Sequence, residues 1–324
     1  MNINEIISPV KKELDEFENT FVNFLHSNVP LVEQIVQYIS TKRGKRLRPM
    51  LVFMTAKLHG GMTAKTLSAG IVIEMLHTAT LIHDDVVDES AQRRGSPTVN
   101  NVWNNKISVL VGDFLFSKTL AGMLDLRDIE ALAILSEAAK LITEGELLQI
   151  AHDHDFEMNE SVYFDLVARK TAALFSAACE LGALTTGANG ESREKMKEFG
   201  ENLGIAFQIK DDLLDYIGVE EELGKPTGND IRENKVTLPL IFALSHSSRE
   251  SRNAILDKLD EGVRGEEEIA DVVNFVRENG GIDYSMDIAN NYGQKAIKIL
   301  EEYSNSELTP YLKELVFFAI HREK

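Results

Sequence analysis

Residues 69–95 read AGIVIEMLHTATLIHDDVVDESAQRRG. Up to Ile82 the apolar residues recur at three- and four-residue steps, which is the period of a helix and not of a strand. The run ends on His83-Asp84-Asp85-Val86-Val87-Asp88. Asp84 and Asp88 stand four residues apart, so their carboxylates lie on one helix face. Like charges at that spacing repel unless a cation sits between them, and the negative pole at a helix C-terminus adds to the attraction for one.

Working outward, the same arrangement recurs. Asp211-Asp212-Leu213-Leu214-Asp215 closes a second apolar helical run, with Gln208 one turn before it. With 19 Asp in 324 residues, chance supplies roughly 0.07 copies of the pattern DDxxD per chain. Two copies, each ending a helix, would make an oxygen-rich cage if they faced each other. Such a cage suits Mg²⁺, which keeps waters and binds through one or two carboxylates plus substrate phosphates.

Helical spacing continues almost everywhere, for example at Phe17, Phe21, Phe24 and Leu25, and at Phe199, Leu203, Ala206 and Phe207. Two-residue alternation is scarce, so the expected fold is all-α. Turns are read at Gly60-Gly61, Arg94-Gly95-Ser96-Pro97, Thr186–Gly190 and Gly280-Gly281. No linker and no solenoid repeat divides the chain, so residues 1–324 are expected to form one large helical domain. Gly218 to Asn234 (GVEEELGKPTGNDIREN) reads as a long polar loop of the kind that serves as a lid.

Composition narrows the function. The chain carries 52 Asp+Glu against 34 Lys+Arg, a formal charge of −18. That excludes an ordinary nucleic-acid binder, which needs a basic face. Its one cysteine, Cys179, excludes an internal disulfide and a CxxC zinc site and reads as a small buried residue. The start, MNINEIISPVKKELDEFENTF, lacks the basic and apolar regions of a signal peptide. No apolar run is read as reaching the ~18–20 residues of a membrane span. A cytoplasmic chain is expected.

An acidic chain that binds polyphosphates must concentrate its few cations. Gly44-Lys45-Arg46-Leu47-Arg48-Pro49 does so, and Arg93-Arg94-Gly95 follows the first acidic motif closely. Arginine suits bidentate phosphate contact and lysine acts as a point charge. His152-Asp153-His154-Asp155 has the look of a metal cluster, but it sits in a polar stretch on which nothing else converges.

The segment HTATLIHDDVVDES at 77–90, followed by Arg93-Arg94-Gly95, resembles the first aspartate-rich motif of the trans-polyprenyl diphosphate synthases, an isoprenoid synthase family. GKRLRP at 44–49 is similar to that family's upstream basic motif. Lys170-Thr171, FQIKDDLLD at 207–215, Gly224-Lys225 and Asn234-Lys235 match its remaining motifs in order. Gly145-Glu146-Leu147-Leu148-Gln149 also has a family look and would put Glu146 or Gln149 on the cavity wall.

The resemblance implies a helical bundle around a central cavity and a homodimer. It implies Mg²⁺ on Asp84, Asp88, Asp211 and Asp215, with Asp85 and Asp212 behind them. Arg93, Lys170, Lys225 and Lys235 would meet an allylic diphosphate or the departing pyrophosphate. Thr171 and Gln208 would line the place where positive charge develops. Isopentenyl diphosphate would sit on Lys45, Arg48, His77 and Arg94. The implied reaction is repeated head-to-tail condensation to a trans-polyprenyl diphosphate, whose product could partition into membrane.

Ala79 and Thr80, five and four residues before Asp84, are small where farnesyl-forming relatives often carry aromatics. This implies an open tunnel and a C30–C50 product, as in the octaprenyl and solanesyl types. The tunnel floor is expected near Leu76, Ile73, Phe114 or Phe116. The alternatives are a farnesyl or geranylgeranyl synthase, a cyclase or head-to-head condenser, and a non-catalytic subunit. Cyclases and head-to-head condensers lack the paired basic socket, and non-catalytic subunits usually lose one aspartate motif.

Overall fold

The structure is a computed structural model that describes residues 2–322 except 42, 43, 94, 154, 218–227 and 264. Its longer helices run in chain order: α1 Lys11–Leu25, α2 Pro30–Thr41, α3 Leu47–Leu58, α4 Ala64–Val87, α5 Asn105–Asp125, α6 Ile129–Ala151 and α7 Glu160–Val167. There follow α8 Ala173–Leu184, α9 Gly190–Ile217, α10 Leu238–His246, α11 Arg249–Glu261, α12 Glu266–Glu278, α13 Gly281–Leu300 and α14 Thr309–His321. Among the described residues the only sheet is a two-residue antiparallel ribbon, β1 (Gln92–Arg93) on β2 (Ser96–Pro97). It pairs Arg93 with Ser96 and Gln92 with Pro97, so Ser96 and Pro97 of the turn read at 94–97 are paired strand residues, while Arg94 lies outside the described residues. The all-α expectation holds.

The helix starts follow local chemistry. Thr63 and Thr66 cap α4 reciprocally, each side chain taking the other's backbone N–H. Asn104 and Asn159 accept from Ile107 N and Val162 N to open α5 and α7.

Contacts gather the chain into two compact units. The first comprises Met1–Ala139, Leu174–Gly200 and Ile299–Leu315. Its centre is α4, buried on every side from Ala69 to Leu76, as an all-round apolar helix must be. α4 packs on α3 and α5, and Phe17, Phe21 and Phe53 fill the core beside it. The second unit comprises Lys140–Ala173, Glu201–Lys298 and Val316–Lys324. There α10 packs on α7 and α12, and Tyr163, Leu213, Leu238, Val272 and Phe275 are buried.

One sequence-based expectation needs correction. α5 has a mean hydropathy of 1.5 over an 18-residue window, so by length and composition it is apolar enough to cross a membrane. Only 39% of that window is buried within the chain. Val109, Leu110, Phe116, Leu120 and Leu124 are exposed. Phe116 is therefore on the outward side of α5 and is not the floor of a channel inside the chain.

Candidate active site

In the first unit, α4 carries the leading acidic motif at its C-terminal end. Asp84 and Asp88 are half-buried and Asp88 caps the helix, its backbone N–H donating to Asp84 O at 2.8 Å. Asp85 turns inward and is buried. Arg93 Nε donates to Asp85 Oδ1 at 2.6 Å, which ties the β1–β2 ribbon to the helix end. Burial pushes the Asp85 carboxyl up, against the pull of Arg93. Gly112 lets α5 close on this region, because a Cβ there would lie 2.2 Å from His83 Nε2.

The basic motif divides its labour. Arg46 sits in the left-handed region at φ 51° as the residue before α3. Its guanidinium donates to Glu18 and Glu74, both at 2.7 Å, and lies over the Phe21 ring at 5.0 Å. Burial alone would weaken its charge, but Glu74 and Glu18 outweigh that and raise its pKa. Arg46 is thus a structural anchor for the loop. Lys45, beside it, is exposed. Arg48, on the first turn of α3, lies over Phe175 at 4.9 Å and reaches His77 Nε2 at 2.9 Å. A guanidinium only donates, so His77 Nε2 is the accepting nitrogen. The structure therefore brings Arg48 and His77 together. Arg94 lies outside the described residues.

In the second unit, Lys170 and Thr171 occupy a π-helical turn, Ala168–Ala172, that joins α7 to α8. Such turns insert an extra residue and concentrate at functional sites. Gly145 of α6 makes room for it: a Cβ there would lie 2.8 Å from Lys170 N. Lys170 Nζ donates to Glu146 Oε2 at 2.7 Å and Gln149 Oε1 at 2.8 Å, so the Gly145–Gln149 segment lies against the Lys170 turn. Thr171 Oγ1 donates to Gln208 Oε1 at 2.7 Å. Gln208 Nε2 in turn donates to Asp212 Oδ1 at 2.8 Å.

The trailing acidic motif is less uniform than its spelling. Asp211 is half-buried and takes a 2.8 Å contact from Arg322. Arg322 also donates to Phe207 O and stacks on the Phe207 ring at 3.8 Å. The tail is expected to fray on general grounds, yet the Arg322 side chain is only 7% exposed. Asp212 is buried, which pushes its carboxyl up; the nearby charge of Asp230 acts the same way, and hydrogen bonds from Tyr163 and Gln208 oppose. Asp215 is 0% exposed, and its two oxygens accept from Asn229 N at 3.2 Å and Asp230 N at 2.9 Å. It thereby seats the short helix Asn229–Arg232. Lys235 pairs with Glu233 at 2.8 Å. Lys225 and most of the expected lid lie outside the described residues.

His152 meets Asp155 at 2.8 Å, and His154 is not described. Among the described residues no three His, Cys, Asp or Glu form a ready metal cage. Within the first unit Asp84 and Asp88 offer oxygen donors only, and so does Asp211 within the second; oxygen donors suit a hard cation that completes its shell with water and phosphate.

Known proteins resemble this chain throughout. The octaprenyl diphosphate synthase of Escherichia coli is 34% identical over 324 residues, covering all of both chains. The geranylgeranyl diphosphate synthase of Sulfolobus acidocaldarius is 34% identical, covering 99% of this chain and 98% of its own. The crystal structure of a Caulobacter crescentus polyprenyl synthase, complexed with calcium and isoprenyl diphosphate, superposes with a TM-score of 0.95 at 33% identity, covering 100% of this chain and 98% of that one. The polyprenyl synthetase family model matches residues 29–276, a span that takes in the basic motif, both acidic motifs and the Lys170-Thr171 turn. The chain belongs to the polyprenyl synthetase family.

Proposed function

We propose that the protein condenses an allylic diphosphate with isopentenyl diphosphate, repeatedly and head to tail, releasing pyrophosphate at each step and ending at C30–C50. The observation that carries this reading is the hydrogen bond from Thr171, in the π turn that also holds Lys170, to Gln208, which stands one helical turn before Asp211. On this reading an ammonium, neutral oxygen acceptors and a carboxylate would follow one another along the site.

Asp84, Asp88, Asp211 and Asp215 are the proposed ligands of Mg²⁺. When bound, Mg²⁺ would supply charge for the diphosphate leaving group. For Asp215 this requires release of the helix it now caps. Arg93, Lys170, Lys225 and Lys235 would hold the diphosphate and stabilise its growing charge as the C–O bond ionises. Thr171 and Gln208 would face the allylic cation with oxygen lone pairs. Lys45, Arg48, His77 and Arg94 would bind isopentenyl diphosphate, whose double bond attacks the cation. The proton then lost passes to the departing pyrophosphate. The loop around Lys225 would exclude water while charge exists.

A homodimer accompanies this reading, supported by the exposed apolar residues that line one side of α5. We treat residues 1–324 as one domain, supported by a family match that includes segments of both compact units. A cytoplasmic location completes the proposal. Incubation with farnesyl diphosphate, isopentenyl diphosphate and Mg²⁺, followed by separation of products by length, tests it. Products of C30–C50 are expected; C15 or C20 products would favour a shorter-chain synthase, and no extension would refute the assignment.

A further inference from the structure

Four side chains of the second unit form one hydrogen-bonded line. Tyr163 Oη donates to Asp212 Oδ2 at 2.5 Å, Gln208 Nε2 donates to Asp212 Oδ1 at 2.8 Å, and Thr171 Oγ1 donates to Gln208 Oε1 at 2.7 Å. Tyr163 is 2% exposed and Asp212 5% exposed, so water does not compete at that end. No residue of the line except Asp212 belongs to an acidic motif, and Tyr163 belongs to no motif read from the sequence.

The order of donors matters. A side-chain amide has one donating and one accepting end. Asp212 offers oxygen acceptors, so the amide Nε2 of Gln208 must face it and Oε1 must face Thr171. Thr171 then spends its single hydroxyl proton on Gln208, and its lone pairs are what it can present elsewhere. If Gln208 turned over, its NH₂ would face Thr171 and the threonine O–H would be free to point outward, the wrong polarity for a developing cation. Asp212 can impose the first arrangement only while it is held in place. Tyr163 provides that hold, and without its hydroxyl Oδ2 would be a buried acceptor missing a donor.

We propose that Tyr163 is a positioning residue for the condensation, acting through Asp212 to set the orientation of Gln208 and hence the polarity of Thr171. The inference rests on the functional reading above. It differs from that reading in assigning a task to a residue that need never touch substrate.

Tyr163→Phe keeps the ring and removes only the hydroxyl. The expected result is a kcat reduced about tenfold with KM for both diphosphates nearly unchanged, and a melting temperature lowered only by what the unpaired Oδ2 costs. In a Thr171→Val background the same change should cost little more, because the line is already cut. A wild-type kcat, or losses that multiply fully in the double variant, would overturn the proposal. Should Tyr163→Phe fold poorly, Asp212→Leu provides the second route, since it removes both acceptors at similar volume and leaves nothing to orient the Gln208 amide. It should likewise lower kcat and spare KM; an unaltered kcat would count against the line. A readout independent of turnover separates this inference from the assigned reaction. Hydrogen exchange of the Gln208 side-chain amide, followed by NMR, should be slow in wild type and faster in Tyr163→Phe. Equal exchange in the two would refute the positioning role even in a fully active synthase.

Discussion

Arg322 closes on Asp211, its guanidinium 2.8 Å from Oδ1 and its side chain 7% exposed. The last described residue of the chain thus neutralises a carboxylate proposed to bind Mg²⁺. A guanidinium and a divalent cation compete for one oxygen. Arg322→Ala should therefore let Mg²⁺ raise the melting temperature at several-fold lower concentration than in wild type, because a ligand that binds only the folded state stabilises in proportion to its affinity. Thermal unfolding across a Mg²⁺ titration checks this. An unchanged midpoint concentration would mean that the ion pair and the metal do not share the site.

Arg46 should behave as a stability residue. Its side chain is 13% exposed and faces Glu18 and Glu74, of which Glu74 is 7% exposed. Arg46→Ala strands Glu74 without its partner, and removal of one side of a buried pair costs about 3–5 kcal/mol. Denaturant unfolding should report a loss of that order, and a change within experimental error would refute the anchoring role.

Gly145 should prove intolerant of a methyl group. In Gly145→Ala the new Cβ would press on Lys170 N and Lys170 Cα at 2.8 and 3.0 Å, atoms of a backbone held in a π turn. Overpacking of this kind costs about 1–3 kcal/mol. The expected outcome is a lower melting temperature together with a lower kcat, since Lys170 and Thr171 move with the turn. Full activity in Gly145→Ala would show that the turn's placement is not critical.

Much of this was legible in the sequence. The i, i+4 carboxylates at Asp84 and Asp88 follow from helical geometry alone, and the basic and Lys-Thr motifs follow from their order. What escaped depends on contacts between distant residues. Arg46 pairs with partners 28 positions away in both directions, and Arg322 with one 111 positions earlier. Asp215 looks identical to Asp88 in its motif, yet it is buried beneath the Asn229 turn, and only the three-dimensional path of the chain decides that. The π turn at Ala168–Ala172 leaves no mark in local pattern, because an inserted residue looks like a continuing helix. The exposed apolar side of α5 was hidden for the opposite reason: its composition is that of a core helix.

Chain length should respond to residue 79. Ala79 is 1% exposed on α4, one turn above Ile82 and near the acidic tip. Ala79→Phe should shift products toward shorter lengths on separation of the reaction mixture, and an unaltered distribution would refute the tunnel along this side of α4.

The central claim is that the aspartate motifs, with a divalent cation, break the allylic C–O bond so that isopentenyl diphosphate can attack. The most direct measurement counts pyrophosphate released against labelled isopentenyl units incorporated, with Mg²⁺, with EDTA, and in folded Asp84→Ala. The account predicts one pyrophosphate per unit with Mg²⁺ and almost none in the other two conditions. Equal incorporation in EDTA or in Asp84→Ala, or pyrophosphate released without incorporation, would contradict it.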